Sequence, residues 1–191
     1  KNKSELTKLK NLKWIKNFKF LSSFINNYQY SYSKENIKKY KKLNHFRVIG
    51  MGGSVLGSEA IYQFLSHKIK KKFEFINNLK TITKYQEKPK EKVLNIVISK
   101  SGNTLETITN FNLLIKRKNN KNIIITEKTN NYLANLAKKL KYEIFDHKNF
   151  IGGRYSVLSE VGMFPPGLCQ LRFIRLLAFW FGFANWLLED F

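Results

Sequence analysis

Five short apolar runs alternate with stretches whose apolar residues recur every three or four positions, and from residue 45 onward that alternation carries the chain. The runs cover 46–49, 73–76, 93–98, 122–125 and 142–145, and their length and β-branched or aromatic content predict strands. Between them, Leu56, Ala60, Ile61, Phe64 and Leu65, then Leu105, Ile108, Phe111 and Ile115, then the stretch 132–140 show helical spacing. Strands interleaved with helices in this way predict an α/β fold, a doubly wound five-stranded parallel sheet. Upstream, Leu6, Leu9, Leu12, Ile15, Phe18, Leu21 and Ile25 step by threes and fours, widened by Trp14, Phe20 and Phe24. One or two amphipathic helices are therefore expected ahead of the sheet. Tyr28, Tyr30 and Tyr32 follow in a polar stretch and read as packing, not as a stacking platform for bases. The chain divides into an N-terminal helical segment, 1–44, a sheet domain, 45–164, and a hydrophobic tail, 165–191.

The turns after the predicted strands hold the polar chemistry. Strand 93–98 runs into Ser99-Lys100-Ser101-Gly102-Asn103-Thr104, and the next helical pattern opens at Leu105. In an open α/β sheet, ligands bind outside the carboxyl ends of the strands. The first turn of a helix also leaves backbone N–H groups unpaired and carries partial positive charge, which favours an anion. Hydroxyls of Ser99, Ser101 and Thr104 would add donors to a phosphate, and Gly102 lets the backbone approach closely. Asn103, with Glu106 three residues on, reads as an N-terminal capping pair. The plainer reading of the same loop is a well-capped helix start and nothing more.

A second turn of this kind follows strand 46–49: Gly50-Met51-Gly52-Gly53-Ser54, with Gly57 beyond. It is not a dinucleotide fingerprint, because the position that needs the third glycine is Val55; nor is it a P-loop, because Ser58 and Glu59 follow Gly57. What remains is a glycine-rich turn feeding a helix, with the Ser54 hydroxyl beside it, or simply a tight strand–helix connection. The third turn, Ile151-Gly152-Gly153-Arg154-Tyr155-Ser156, follows the last strand. Two glycines ahead of Arg154 allow its guanidinium to stand over a pocket, where a fixed cation stabilises developing negative charge. Taken alone the motif is weak, since an exposed Arg paired with a carboxylate is the usual case.

Charge changes the list of partners. A net charge of +22 on 191 residues points first to nucleic acid. Yet 30 of the 35 basic residues are Lys and 5 are Arg, whereas forked contacts to bases and phosphates favour Arg. The lysines are spread along helical faces among asparagines, so we read a solvated surface with no dedicated nucleic-acid partner and nonspecific polyanion binding as a side effect. Cys169, the single cysteine, excludes an internal disulfide and a thiolate cluster and reads as a buried small hydrophobe. His45, His67 and His147 lack ligand spacing, so no metal is expected. The basic start shows helical spacing instead of an uninterrupted signal core, and a reducing cytoplasm fits.

Taken together, GMGGSVLGS, SKSGNTLET and GGRYSVLSEVG, in this order, resemble the glucose-6-phosphate isomerase family, specifically its flavodoxin-like sugar-isomerase (SIS) sheet domain. The resemblance runs from about residue 46 to 164. It implies that Ser99, Lys100, Ser101, Gly102, Asn103 and Thr104 hold a substrate phosphate. It also implies that Gly53 and Ser54 line the sugar pocket and that Arg154 steadies an enediol intermediate. The family moves a proton between C1 and C2 of an open-chain hexose 6-phosphate, interconverting glucose and fructose 6-phosphates by acid–base chemistry without metal or cofactor. Its base is a glutamate, and a histidine and a lysine help open the ring; all three belong to a later segment of the family. Glu106 and Glu160 lie in matched motifs but neither matches the base. The resemblance thus implies a sugar-phosphate-binding part that is inactive alone, from a protein that is a homodimer when full-length. The rival is a noncatalytic SIS-type module that binds a sugar phosphate and regulates through interaction.

Lysine is absent from Pro165 to the end, and the tail PGLCQLRFIRLLAFWFGFANWLLEDF departs from the family pattern. A reading frame lost near Pro165 accounts for this. The alternative is a hydrophobic helix that packs on a partner or membrane, although its uncharged run, 176–188, is too short for a span, and no membrane partner is expected.

Overall fold

Val93, Leu94, Ile96, Val97 and Ile98 of one inner strand and Ile123, Ile124 and Ile125 of its neighbour are fully buried, on both faces of the sheet, as strands of a parallel sheet covered on each side must be. The computed structural model describes residues 19–24, 28–79, 92–115 and 120–169. Its five strands are β1 (His45–Gly50), β2 (Lys72–Ile76), β3 (Val93–Ile98), β4 (Lys121–Thr126) and β5 (Glu143–Asp146). All pair in parallel in the order β2-β1-β3-β4-β5. Each stands within one residue of its predicted bounds. The described α-helices are α1 (Lys34–Tyr40), α2 (Gly53–Leu65), α3 (Leu105–Leu114), α4 (Tyr132–Leu140) and α5 (Glu160–Leu168).

Two apolar clusters sandwich the sheet. On one face Phe46, Val48, Leu94, Ile96, Ile98, Ile123 and Ile125 meet Tyr40 of α1, Val55 of α2 and Val161, Phe164 and Leu168 of α5. On the other, Ile49, Val97 and Ile124 meet Phe111 and Leu114 of α3 and Leu133 and Ala137 of α4. Tyr32 packs edge-on to Phe164 and tilted on Phe145, so the tyrosine stretch serves packing, as expected.

One polar row crosses the sheet near the start of the strands. Glu74, Arg47, Asn95 and Asn122 occupy matched positions of β2, β1, β3 and β4. Arg47 Nε donates to Glu74 Oε2 at 3.0 Å and Asn95 Nδ2 to Asn122 Oδ1 at 2.8 Å, while Arg47 and Asn95 are fully buried. A slip of any strand by one residue would turn a member of this row onto the opposite face, so the row holds the strands in register.

Three expectations are corrected. Leu56 and Phe64 of α2 stand 58% and 70% exposed, because this helix buries the face of Val55, Ser58 and Leu65 and brings Gly57 against Val157. Leu105 is likewise exposed, being the first residue of α3, above the edge of the sheet. Lys19–Phe24 is a 3-10 turn and not an α-helix; the apolar steps upstream of residue 19, and Ile25, lie outside the described residues. Downstream, α5 passes through Pro165 and Pro166 to the fully buried Leu168, and the tail beyond Cys169 lies outside the described residues.

Candidate functional site

The strand order puts a topological switch point between the carboxyl ends of β1 and β3, where the chain departs in opposite directions, the place at which open α/β sheets bind their ligands. The turn Gly50–Ser54 leaves β1 there and enters α2; the turn Ser99–Thr104 leaves β3 and enters α3. The third turn, a 3-10 segment Gly153–Leu158, folds back onto α2. The Ser156 hydroxyl lies 3.1 Å from the Gly53 carbonyl oxygen and 2.7 Å from that of Gly153. A Cβ on Gly53 would stand only 2.3 Å from the Gly153 oxygen, so the approach of these two turns depends on a glycine. Lys100 Nζ donates to the Asn149 carbonyl at 2.6 Å, which ties the second turn to the segment leading into the third.

Within the second turn, Ser99 is buried and its Oγ is spent internally, 2.9 Å from Thr104 Oγ1 and accepting from the Gly102 N–H at 3.2 Å. Gly102 adopts φ +66°, and its carbonyl accepts from the Leu133 N–H at 3.1 Å. The expected Asn103–Glu106 cap is not formed. Asn103 Oδ1 instead accepts from the Tyr132 N–H at 3.0 Å, and the residue capping α3 is Thr104, which makes no side-chain cap bond because Ser99 engages its hydroxyl. Gly52 caps α2, also without a side-chain bond. Two helix N-termini without side-chain caps therefore open at the switch point, with the exposed Ser101 between β3 and α3. Both dipoles and the first-turn amides of α3 favour an anion, whereas in α2 the Ser54 and Val55 amides already donate to the Met51 and Gly52 carbonyls.

The charged groups sort by environment. Lys100 also lies 3.5 Å from Glu127 Oε1, so part of its charge is matched. Arg154 is exposed, and among the described residues no carboxylate pairs with it, unlike an ordinary surface Arg. Glu160 is fully buried and accepts from the Tyr28 hydroxyl at 2.7 Å and the Ser31 N–H at 2.9 Å. Burial, aided by the nearby Lys100 cation, holds the buried His147 imidazole below its ordinary pKa. A small apolar hollow lined by Ser58, Ile61, Tyr62, Phe73, Pro165 and Cys169 sits between α2, β2 and α5, away from the three turns. Burial there pushes the half-buried Cys169 thiol up to about 11, which disfavours the thiolate.

Sequence reasoning missed Asn131. Its Oδ1 caps α4 by accepting from the Ala134 N–H at 2.9 Å, its Nδ2 donates to the Glu127 carbonyl at 3.0 Å, and it packs directly on Gly102. An Asn just ahead of an apolar-periodic stretch signals such a cap; its contact with the second turn had no local signal.

The fold defines a doubly wound α/β domain built on a five-stranded parallel sheet. A hypothetical protein from Thermus thermophilus superposes with a TM-score of 0.63 at 23% identity, over 75% of this chain and 38% of that one. The tagatose-6-phosphate ketose/aldose isomerase of Escherichia coli does so with a TM-score of 0.53 at 17% identity, over 88% and 46%. At such identities these likenesses show the fold alone. The family model for phosphoglucose isomerase matches residues 21–180, and the chain belongs to that family. That match extends past the composition break at Pro165. Relatives include the glucose-6-phosphate isomerase of Methanocaldococcus jannaschii, 38% identical over 149 residues, covering 69% of this chain and 35% of the relative. The glucose-6-phosphate isomerase of Acholeplasma laidlawii is 39% identical over 146 residues, covering 67% and 34%. The chain thus spans about a third of the length of these curated relatives.

Proposed function

We propose that this chain is the sugar-phosphate-binding part of an aldose–ketose isomerase that interconverts glucose 6-phosphate and fructose 6-phosphate through a cis-enediol. One observation carries the reading: the two helix N-termini without side-chain caps meet at the switch point, and the Arg154 turn is hydrogen-bonded to the first of them through Ser156. In this reading the phosphate takes the first-turn amides of α3 with the Ser101 and Thr104 hydroxyls, while Ser99, Gly102 and Asn103 shape the turn and Lys100 anchors it. Gly53 and Ser54 line the sugar, and Arg154 faces C1 and C2, where negative charge develops.

Proton transfer needs a free base. Glu160 is buried and hydrogen-bonded, Glu127 faces Lys100, and Glu106, in the first turn of α3, does not match the family's base, so the chain by itself is expected to bind without turnover; robust isomerisation in a coupled assay would refute that part. The same observation favours a second reading, a noncatalytic sugar-phosphate module, which predicts no turnover even in the whole protein. We further place the whole protein in the cytoplasm as a homodimer, which sedimentation would test.

Calorimetric titration tests the binding claim. Glucose 6-phosphate should saturate one site, inorganic phosphate should bind it more weakly and glucose not at all. Ser101→Ala and Arg154→Ala should each weaken glucose 6-phosphate about tenfold, the worth of one hydrogen bond to a charged group. Equal binding of every anion, abolished by salt and unaffected by either substitution, would assign the effect to the lysine surface instead.

A further inference from the structure

We infer that Glu160 is a positioning residue, which fastens the segment 28–33 against the Arg154 turn and thereby sets the affinity for the sugar part of the ligand. The inference rests on the function proposed above. Glu160 is the first residue of α5, directly after the Arg154 turn and Ser159, and is fully buried. Both carboxylate oxygens are held by one short stretch: Oε2 by the Tyr28 hydroxyl at 2.7 Å and Oε1 by the Ser31 N–H at 2.9 Å. Among the described residues no Lys or Arg pairs with it. A buried carboxylate without a counter-ion costs several kcal/mol unless hydrogen bonds and a helix N-terminus offset it, so apolar packing alone would not place one here.

The same stretch grips the turn elsewhere. Tyr30 donates its hydroxyl to the Leu158 carbonyl at 3.2 Å. Upstream, Phe20 packs on Tyr155, the neighbour of Arg154, with ring centroids 4.8 Å apart. Contacts from the N-terminal side therefore hold Tyr155, Leu158 and Glu160, while Ser156 holds the turn to Gly53 from the other side. Arg154 is exposed and unpaired among the described residues, so the backbone carrying it decides where its guanidinium stands. Loosening the clasp at Glu160 frees one side of that backbone.

The test compares glucose 6-phosphate with inorganic phosphate, which needs the second turn but not Arg154. Glu160→Ala should weaken glucose 6-phosphate about tenfold and Tyr28→Phe about threefold, with phosphate unchanged within about twofold. Glu160→Gln keeps an acceptor for the Ser31 N–H and can donate to the Tyr28 oxygen, so it should bind both ligands within about twofold of the unaltered chain. On an Arg154→Ala background, Glu160→Ala should cause no further loss, because the two act through one contact. Equal weakening of both ligands, no weakening of either, or a full additional loss on the Arg154→Ala background would overturn the inference. Should Glu160→Ala fail to fold by circular dichroism, Tyr28→Phe, which removes one oxygen atom, decides on the same criteria. Failure of the unaltered chain to bind glucose 6-phosphate would instead overturn the proposed function, and this inference with it.

Discussion

Replacing Gly102 with alanine isolates how the second turn is built. At φ +66° an L-residue pays about 1 kcal/mol for the left-handed conformation. The new Cβ would stand 1.9 Å from Asn131 Oδ1, so Asn131 must leave its place. Moving it breaks the cap on α4, about 1 kcal/mol, and the hydrogen bond from its Nδ2 to Glu127, about 1 kcal/mol more. Gly102→Ala should therefore destabilise the chain by about 3 kcal/mol, read as a shift in the urea unfolding midpoint at unchanged slope. An Asn131→Ala background separates the causes: there the obstacle and its bonds are already gone, and Gly102→Ala should cost only the conformational share, about 1 kcal/mol. A cost below about 0.5 kcal/mol in the unaltered chain, or an equal cost in both backgrounds, would refute the coupling of Gly102 to Asn131.

Acid stability should depend on Glu74. Burial alone would raise its pKa, but hydrogen bonds from His45, Lys72 and Arg47 outweigh burial and lower it to about 2 in the folded chain. A lowered folded value means that stability present above the ordinary carboxylate range is lost as pH falls from about 4.5 toward 2, by about 2 kcal/mol. Glu74→Gln should cost about 3 kcal/mol near neutral pH, where it strips Arg47 of its carboxylate, and the gap to the unaltered chain should narrow through this window. Urea titrations between these pH values would show it, and a gap independent of pH would contradict it. Gly53→Ala, whose Cβ would stand 2.3 Å from the Gly153 oxygen, should push the first and third turns apart. It should lower glucose 6-phosphate affinity at least about tenfold at a stability cost of about 1–3 kcal/mol, by calorimetry and thermal unfolding.

Much of this fold was legible because strands buried on both faces read as largely apolar runs, as in β3 with its single Asn95. The three turns were legible because glycine, serine and arginine cluster where the runs end. Side-chain partnerships across the chain were not. Asn103 looks like half of a capping pair by local spacing, yet its carbonyl oxygen serves the Tyr132 N–H, 29 residues away. Leu56 and Phe64 fit a buried stripe by period, but the close approach of Gly57 to Val157 turns the helix and leaves them exposed. Arg47 and Asn95 each interrupt an apolar run and Asn122 opens one; only the strand register shows that these polar positions are one row. Glu160 carried no sign of its burial, because Tyr28 and Ser31 reach it from far upstream.

The central claim is that three separated turns form one site for a hexose phosphate. Backbone amide chemical-shift mapping of this chain with glucose 6-phosphate tests it most directly. The account predicts saturable shifts that share one dissociation constant at Ser54, Ser101, Gly102 and Arg154. Shifts confined to lysine-bearing surfaces, or a separate constant for each turn, would contradict it.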